Sequence, residues 1–170
     1  MGSEFTHSEV VCFLNNYALF TLNLSDRAKL LYENGVIDEQ SQIIAKKQGY
    51  NAEILESFRI SPLFRNKYLE SKVKELTGNN IKIIDHNDNE IEGTPCNSCG
   101  YVVFENHEDS IFEICPVCGW QSDKLNNDGY SKLNDVYLSN FVNTPLFSER
   151  VLNHIDIYMK KDIIKFAEKK

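Results

Sequence analysis

The feature that most constrains this chain is a pair of Cys-x-x-Cys motifs, Cys96-Asn97-Ser98-Cys99 and Cys115-Pro116-Val117-Cys118, separated by fifteen residues. A Cys-x-x-Cys turn aims two sulfurs at one point, and Zn²⁺ takes four soft ligands tetrahedrally. Two such turns, joined by a hairpin long enough to bring them face to face, complete a four-sulfur shell. The order knuckle, strand, turn, strand, knuckle is that of a zinc ribbon, with strands expected near Tyr101–Glu105 and Ile111–Cys115. Gly100 and Gly119 each follow the second cysteine of a pair, where a positive φ closes the turn. The spacing therefore predicts one structural Zn²⁺ bound by Cys96, Cys99, Cys115 and Cys118.

Other chemistries of paired cysteines fit less well. A redox dithiol needs one pair in a strand–helix context, whereas strand–turn–strand is read here. An iron–sulfur cluster usually draws on a more clustered ligand run. A catalytic zinc needs an open coordination position, and four thiolates leave none, so the site reads as closed and structural. Cys12 lies in an apolar helical pattern and reads as a small buried hydrophobe. His86, His107 and His154 share no spacing, and His107 beside Glu108 and Asp109 reads as a solvated turn. No Gly-x-Ser-x-Gly, phosphate loop or His-Glu-x-x-His occurs, so no catalytic residue and no enzyme activity are expected.

Charge is segregated around the cysteines. Residues 79–143 carry a net charge of -8, whereas 1–78 carry -1 and 144–170 carry +2. Four thiolates on one Zn²⁺ would add -2 to the middle segment, a field that repels phosphate backbones and attracts basic partners. With 42% hydrophobic residues the chain has enough apolar surface for a packed core. The N-terminus shows no basic segment leading into an apolar one, and no apolar run approaches the ~18 residues of a membrane span. A leaderless cytoplasmic protein is expected, in a reducing compartment where paired thiols hold metal more often than they form disulfides.

The pattern divides into four segments. Residues 1–5 include Gly2-Ser3-Glu4-Phe5, which reads as a cloning scar and is set aside. Residues 6–78 read as a helical subdomain. Val10, Phe13, Leu14, Tyr17 and Ala18 recur at helical spacing, Ser25 is expected to cap a helix stopped by Gly35, and another helix follows Asp38. Asn51 is expected to cap a further helix, and Ser61-Pro62 to start one that ends at Gly78. Residues 79–143 form the acidic zinc-ribbon segment, opening with a strand from Ile81 and a polar turn. In 144–170, Thr144 caps and Pro145 starts a helix whose stripe is Leu146, Leu152, Ile155, Tyr158 or Met159, Ile163 and Phe166. The expected fold is α+β: a helical N-terminal half, a four-cysteine zinc-ribbon β-hairpin insert, and a C-terminal amphipathic helix packing back on the helices.

Residues 94–141 also resemble the cysteine-rich CPCC family of small bacterial proteins. Cys96, Cys99, Gly100 and Tyr101 match its first knuckle. Glu113, Ile114, Cys115, Pro116, Val117, Cys118, Gly119, Trp120 and Asp123 match its second, and Gly129, Asn134, Leu138, Asn140 and Phe141 echo its downstream run. The family has Pro-Cys where this chain has Asn97-Ser98, which removes one cysteine and keeps both ligands. The resemblance implies an accessory or immunity-like protein encoded near bacterial toxin systems.

Charge and resemblance together point to a non-enzymatic protein-binding inhibitor, such as an immunity protein that neutralises a basic, nuclease-type toxin. The alternative is a zinc-ribbon protein-interaction or nucleic-acid-binding regulatory module, the nucleic-acid form of which the charge disfavours. No nucleic-acid or membrane partner is expected, and the chain is expected to be a monomer or weak dimer. Glu105, Glu108, Asp109, Glu113, Asp123 and Asp128 are the expected partner-binding residues, with Tyr101, Phe104, Phe112 and Trp120 supplying core or anchors. Trp120 is expected to pack within the ribbon.

Overall fold

The computed structural model describes residues 2–123 and 128–161. The protein is α+β, and the chain groups into two units where three segments beyond the scar are expected. The first unit draws on 1–61 and 69–85, the second on 62–68 and 86–170. The final segment is thus grouped with the cysteines.

In the first unit, strand β1 (Ser3–Phe5) leads into helix α1 (His7–Thr21). Thr6 caps α1 in a capping box with Glu9, which satisfies two otherwise orphaned amides. Helices α2 (Leu24–Glu33), α3 (Gln42–Ala45) and α4 (Asn51–Ser57) follow. Their core holds Leu19, Ala28, Leu31, Ile37, Ala45 and Ile54. Arg27 is buried beside it and donates from Nε to the Ala45 carbonyl at 2.6 Å and from Nη2 to Asn51 Oδ1. Because Asn51 is engaged in this way it does not cap α4 as expected; Tyr50 stands at that position without a side-chain bond. Asn23 rather than Ser25 caps α2, and Gly35 stops it at φ 68°.

Helix α5 (Asn66–Thr77) starts four residues later than Pro62 suggests. Leu63 is buried in the second unit's core and Phe64 forms a bridge with Tyr158, so these residues are taken out of the helix by tertiary pairing. Strand β2 (Ile81–Ile83) then pairs in parallel with β1, Ser3 opposite Ile81 and Phe5 opposite Ile83. The residues set aside as a scar are therefore part of the fold. An extended backbone next to an open strand edge pairs whatever its side chains.

The second unit has short elements around one core: β3 (Thr94–Pro95), β4 (Val102–Phe104), β5 (Tyr130–Ser131), β6 (Val136–Tyr137), α6 (Leu138–Val142) and α7 (Pro145–Asn153). β3 pairs antiparallel with β4 and β5 with β6. Thr144 caps α7 with Pro145 in its first turn, as the sequence predicts. The expected helix over 144–170 nevertheless ends at Asn153. Beyond it the Ile157 carbonyl accepts from the Arg65 amide (3.0 Å), the Met159 carbonyl accepts from Val102 (2.8 Å), and the Lys161 amide donates to Gly100 (2.9 Å). This edge pairing outcompetes a further helical turn. The inward face of α7 carries Phe147 and Val151, which pack on the cysteine core, while Leu146, Leu152 and Ile155 of the expected stripe are exposed. Ile163 and Phe166 lie outside the described residues. No described helix is long and apolar enough to cross a membrane.

Candidate metal centre

Each Cys-x-x-Cys turn closes on itself with the same two backbone bonds. The Cys96 amide donates to Tyr101 O at 2.8 Å and the Gly100 amide to Cys96 O at 2.9 Å. In the second turn, Cys115 donates to Trp120 O and Gly119 to Cys115 O, both at 2.9 Å. Gly100 and Gly119 hold φ 77° and 81°, the left-handed conformation that a side chain disfavours. Each knuckle also pairs its own flanks, β3 with β4 around the first and Ile114 with Gln121 around the second.

The second ribbon strand expected over Ile111–Cys115 does not form. The chain from 105 to 112 is a series of turns that satisfies its polar groups locally: Asn106 Oδ1 accepts from the Asp109 amide and Ser110 Oγ donates to the His107 carbonyl. The Phe112 amide then donates to Ser122 O, beyond the knuckle, instead of to a strand facing β4.

The two knuckles bring Cys96, Cys99, Cys115 and Cys118 together, all buried and none in a disulfide. All four sulfurs lie within 4.8 Å of one another; Cys96 and Cys118 are 3.8 Å apart, and Cys99 and Cys115 are 3.7 Å apart. Sulfurs at the corners of a tetrahedron, each about 2.3 Å from a central ion, stand ~3.8 Å apart. The donor set and its spacing are therefore compatible with a metal site. Bonds from neighbouring thiols, Cys115 foremost, push the Cys96 thiol far above its ordinary range, while those at Cys118, again Cys115 first, hold it far below. Four thiolates this close would repel one another, and a bound cation would offset that repulsion.

The surroundings fix the cluster. Trp120 is 1% exposed, and its ring lies 5.0 Å from that of Phe141, which in turn is 5.7 Å from Phe147. Asn134 accepts from the Gln121 amide and donates to the Gln121 carbonyl, both at 2.8 Å, tying β5–β6 to the exit of the second knuckle. Ser98 is buried and its amide faces Cys96 Sγ at 3.4 Å.

Arg150 is the site residue that the sequence reading missed. From α7 its Nη1 donates to Cys118 O at 3.1 Å. A Cβ built on Gly119 would meet the same nitrogen at 1.9 Å, so a glycine is needed for the guanidinium to approach. A fixed cation here offsets negative charge on the cluster, but thirty-two residues separate it from Cys118, and nothing local marks it. Arg150→Ala is expected to weaken metal affinity about tenfold while α7 persists. Competition with a chromophoric chelator measures this, and unchanged affinity would make Arg150 a packing residue only.

Of the expected partner-binding residues, Glu105, Glu108, Asp109 and Glu113 are exposed on one loop, whose nine residues, 105–113, contain no lysine or arginine. Asp123 is half-buried. Asp128 is committed elsewhere, its Oδ1 accepting from the Ser139 amide in the first turn of α6 at 2.8 Å. The four aromatic candidates separate cleanly. Tyr101, Phe104 and Trp120 are core, whereas Phe112 is 61% exposed. It also holds φ 66°, unusual for a bulky side chain, with its carbonyl accepting from Gln121 Nε2 at 2.9 Å.

Fold and centre define a class: a two-knuckle cysteine unit shaped for a metal ion. Residues 94–140 match the family model described as cysteine-rich CPCC, in agreement with the resemblance read over 94–141. Neither the curated proteins nor the solved structures include a significant match to the chain.

Proposed function

We propose that this protein is a non-enzymatic inhibitor that binds a basic partner, of the nuclease-toxin kind, through an acidic loop held in place by one structural Zn²⁺. The observation that carries the reading is the 105–113 loop. Four exposed acids and an exposed Phe112 sit on a segment whose turns are closed by their own hydrogen bonds and anchored between the knuckles. Zinc is favoured as the ion by four thiolate donors at tetrahedral spacing. A loop fixed before binding loses little freedom on binding, which is the gain the metal supplies. The immunity-like role implied by the family resemblance fits the same surface.

Acidic residues set the encounter rate and a desolvated apolar contact sets the lifetime. Reversing Glu105, Glu108 and Asp109 to lysine is expected to slow association with the cognate basic toxin domain at least tenfold at low salt. Phe112→Ala is expected mainly to speed dissociation. Surface plasmon resonance against the purified toxin domain separates the two rates. An unchanged association rate for the triple variant would remove the loop from the interface.

A further inference from the structure

Strand alternation gives the β5–β6 hairpin two unlike faces. Ser131 is 0% exposed and its cross-strand neighbour Val136 packs on the cysteine core, so that face is turned inward. The opposite face carries the other cross-strand pair, Tyr130 and Tyr137, which are 45% and 49% exposed. Their rings stand edge to face, 5.2 Å apart and inclined at 71°, so at least one face of each ring is left uncovered by the other. Asp135, at φ 54° in the turn, accepts from the Tyr130 hydroxyl through Oδ1. Among the described residues neither Asp128 nor Asp135 is paired with a lysine or arginine. The hairpin adjoins the acidic loop through Gln121, which bonds Asn134 through its backbone and donates from Nε2 to the Phe112 carbonyl at 2.9 Å.

We infer that Tyr130, Tyr137 and Asp135 receive an arginine side chain of the basic partner, the guanidinium stacking on a tyrosine ring and donating to Asp135. The inference rests on the inhibitor reading for the partner's charge and adds the residue type that the partner presents. A cation within ~6 Å of a ring centroid is attracted by the ring face. The Asp135 carboxylate lies one hydrogen bond beyond the Tyr130 oxygen, within reach of a guanidinium placed there. Arginine can do both at once, because its planar fork stacks while its edge donates; the compact, strongly hydrated lysine ammonium stacks poorly. An acidic occupant is repelled by the net charge of -8 on residues 79–143, and an apolar one would strip water from Asp135 without replacing it. Cross-strand packing of two rings would steady the hairpin by itself, but it does not call for a carboxylate on the phenol.

Fluorescence polarisation with labelled octa-arginine and octa-lysine, titrated with the metal-loaded full chain at about 50 mM salt, tests this, since the two probes carry equal charge. Octa-arginine is expected to bind about fivefold more tightly than octa-lysine. Tyr137→Leu is expected to bring the ratio to within about twofold by weakening octa-arginine binding alone, with Trp120 emission unchanged as the check on folding. Asp135→Asn provides a second variant, since asparagine tolerates the left-handed turn. Reversing Glu105, Glu108 and Asp109 to lysine is expected to weaken both peptides alike and leave the ratio intact. Equal affinities for the two peptides, or a preference that both hairpin variants leave unchanged, overturn the inference and leave the inhibitor reading standing. Binding of neither peptide overturns both.

Discussion

Removing the metal is expected to unfold the second unit while the helices of the first persist. The second unit's described strands are two or three residues long, and its buried cluster of twelve residues includes all four metal-site cysteines. Sheets this small do not stand alone. A structural zinc supplies on the order of 10 kcal/mol, comparable to the whole stability of a typical domain. Trp120, the single tryptophan in the chain and 1% exposed, reports on this unit alone. Titration with a strong chelator is expected to shift its emission to the red and expose it to quencher, with most helical ellipticity retained. The first unit has its own core of Leu19, Ala28, Leu31, Ile37, Ala45 and Ile54, and an Arg27 network independent of any metal. Cys118→Ser is expected to give the same red-shifted emission without chelator. A buried Trp120 in metal-free protein would show that apolar packing alone sustains the unit.

The second large effect is expected at Trp120 itself. Trp120→Ala removes the largest fully buried side chain, beside Cys118 and against Phe141. Large-to-small changes of this kind cost about 3–5 kcal/mol, because the cavity left behind collapses only partly. The carbonyl that accepts from the Cys115 amide belongs to the same residue, so loosening it disturbs the second knuckle. Thermal denaturation is expected to show loss of the second unit's transition, and metal release to accelerate. Trp120→Phe retains an aromatic contact with Phe141 and is expected to recover most of the stability. Equal losses for the two variants would mean that the indole ring makes a contact other than the packing described.

The two knuckles were legible because everything that forms them is local: the two-residue spacing, the glycine after each pair, and the turn bonds within six residues. The Thr144-Pro145 start of α7 and the Gly35 and Gly78 stops were legible for the same reason. What failed was non-local. Pro62 gives a sound helix signal, yet Leu63 and Phe64 are drawn into a core whose other members lie some thirty to a hundred residues away. Ile155 to Met159 suit a helical stripe, yet the Ile157 and Met159 carbonyls accept from the Arg65 and Val102 amides and the Lys161 amide donates to Gly100, so the chain here turns and forms two isolated bridges instead of a helix. The ribbon's second strand is the exception, failing for a local reason: Asn106, Asp109 and Ser110 close the intervening loop with turns. Ser3–Phe5 carry no strand pattern and pair only because Ile81–Ile83 offer an edge. Arg150 reaches the cluster through the packing of α7, which no spacing in the sequence records.

X-ray absorption at the metal edge of freshly purified protein, with metal content measured on the same sample, is the most direct test of a four-thiolate structural centre. The expected result is one zinc per chain with four sulfur neighbours at about 2.3 Å and no oxygen or nitrogen in the first shell. Iron in place of zinc, a mixed sulfur and oxygen shell, or no stoichiometric metal at all would contradict it.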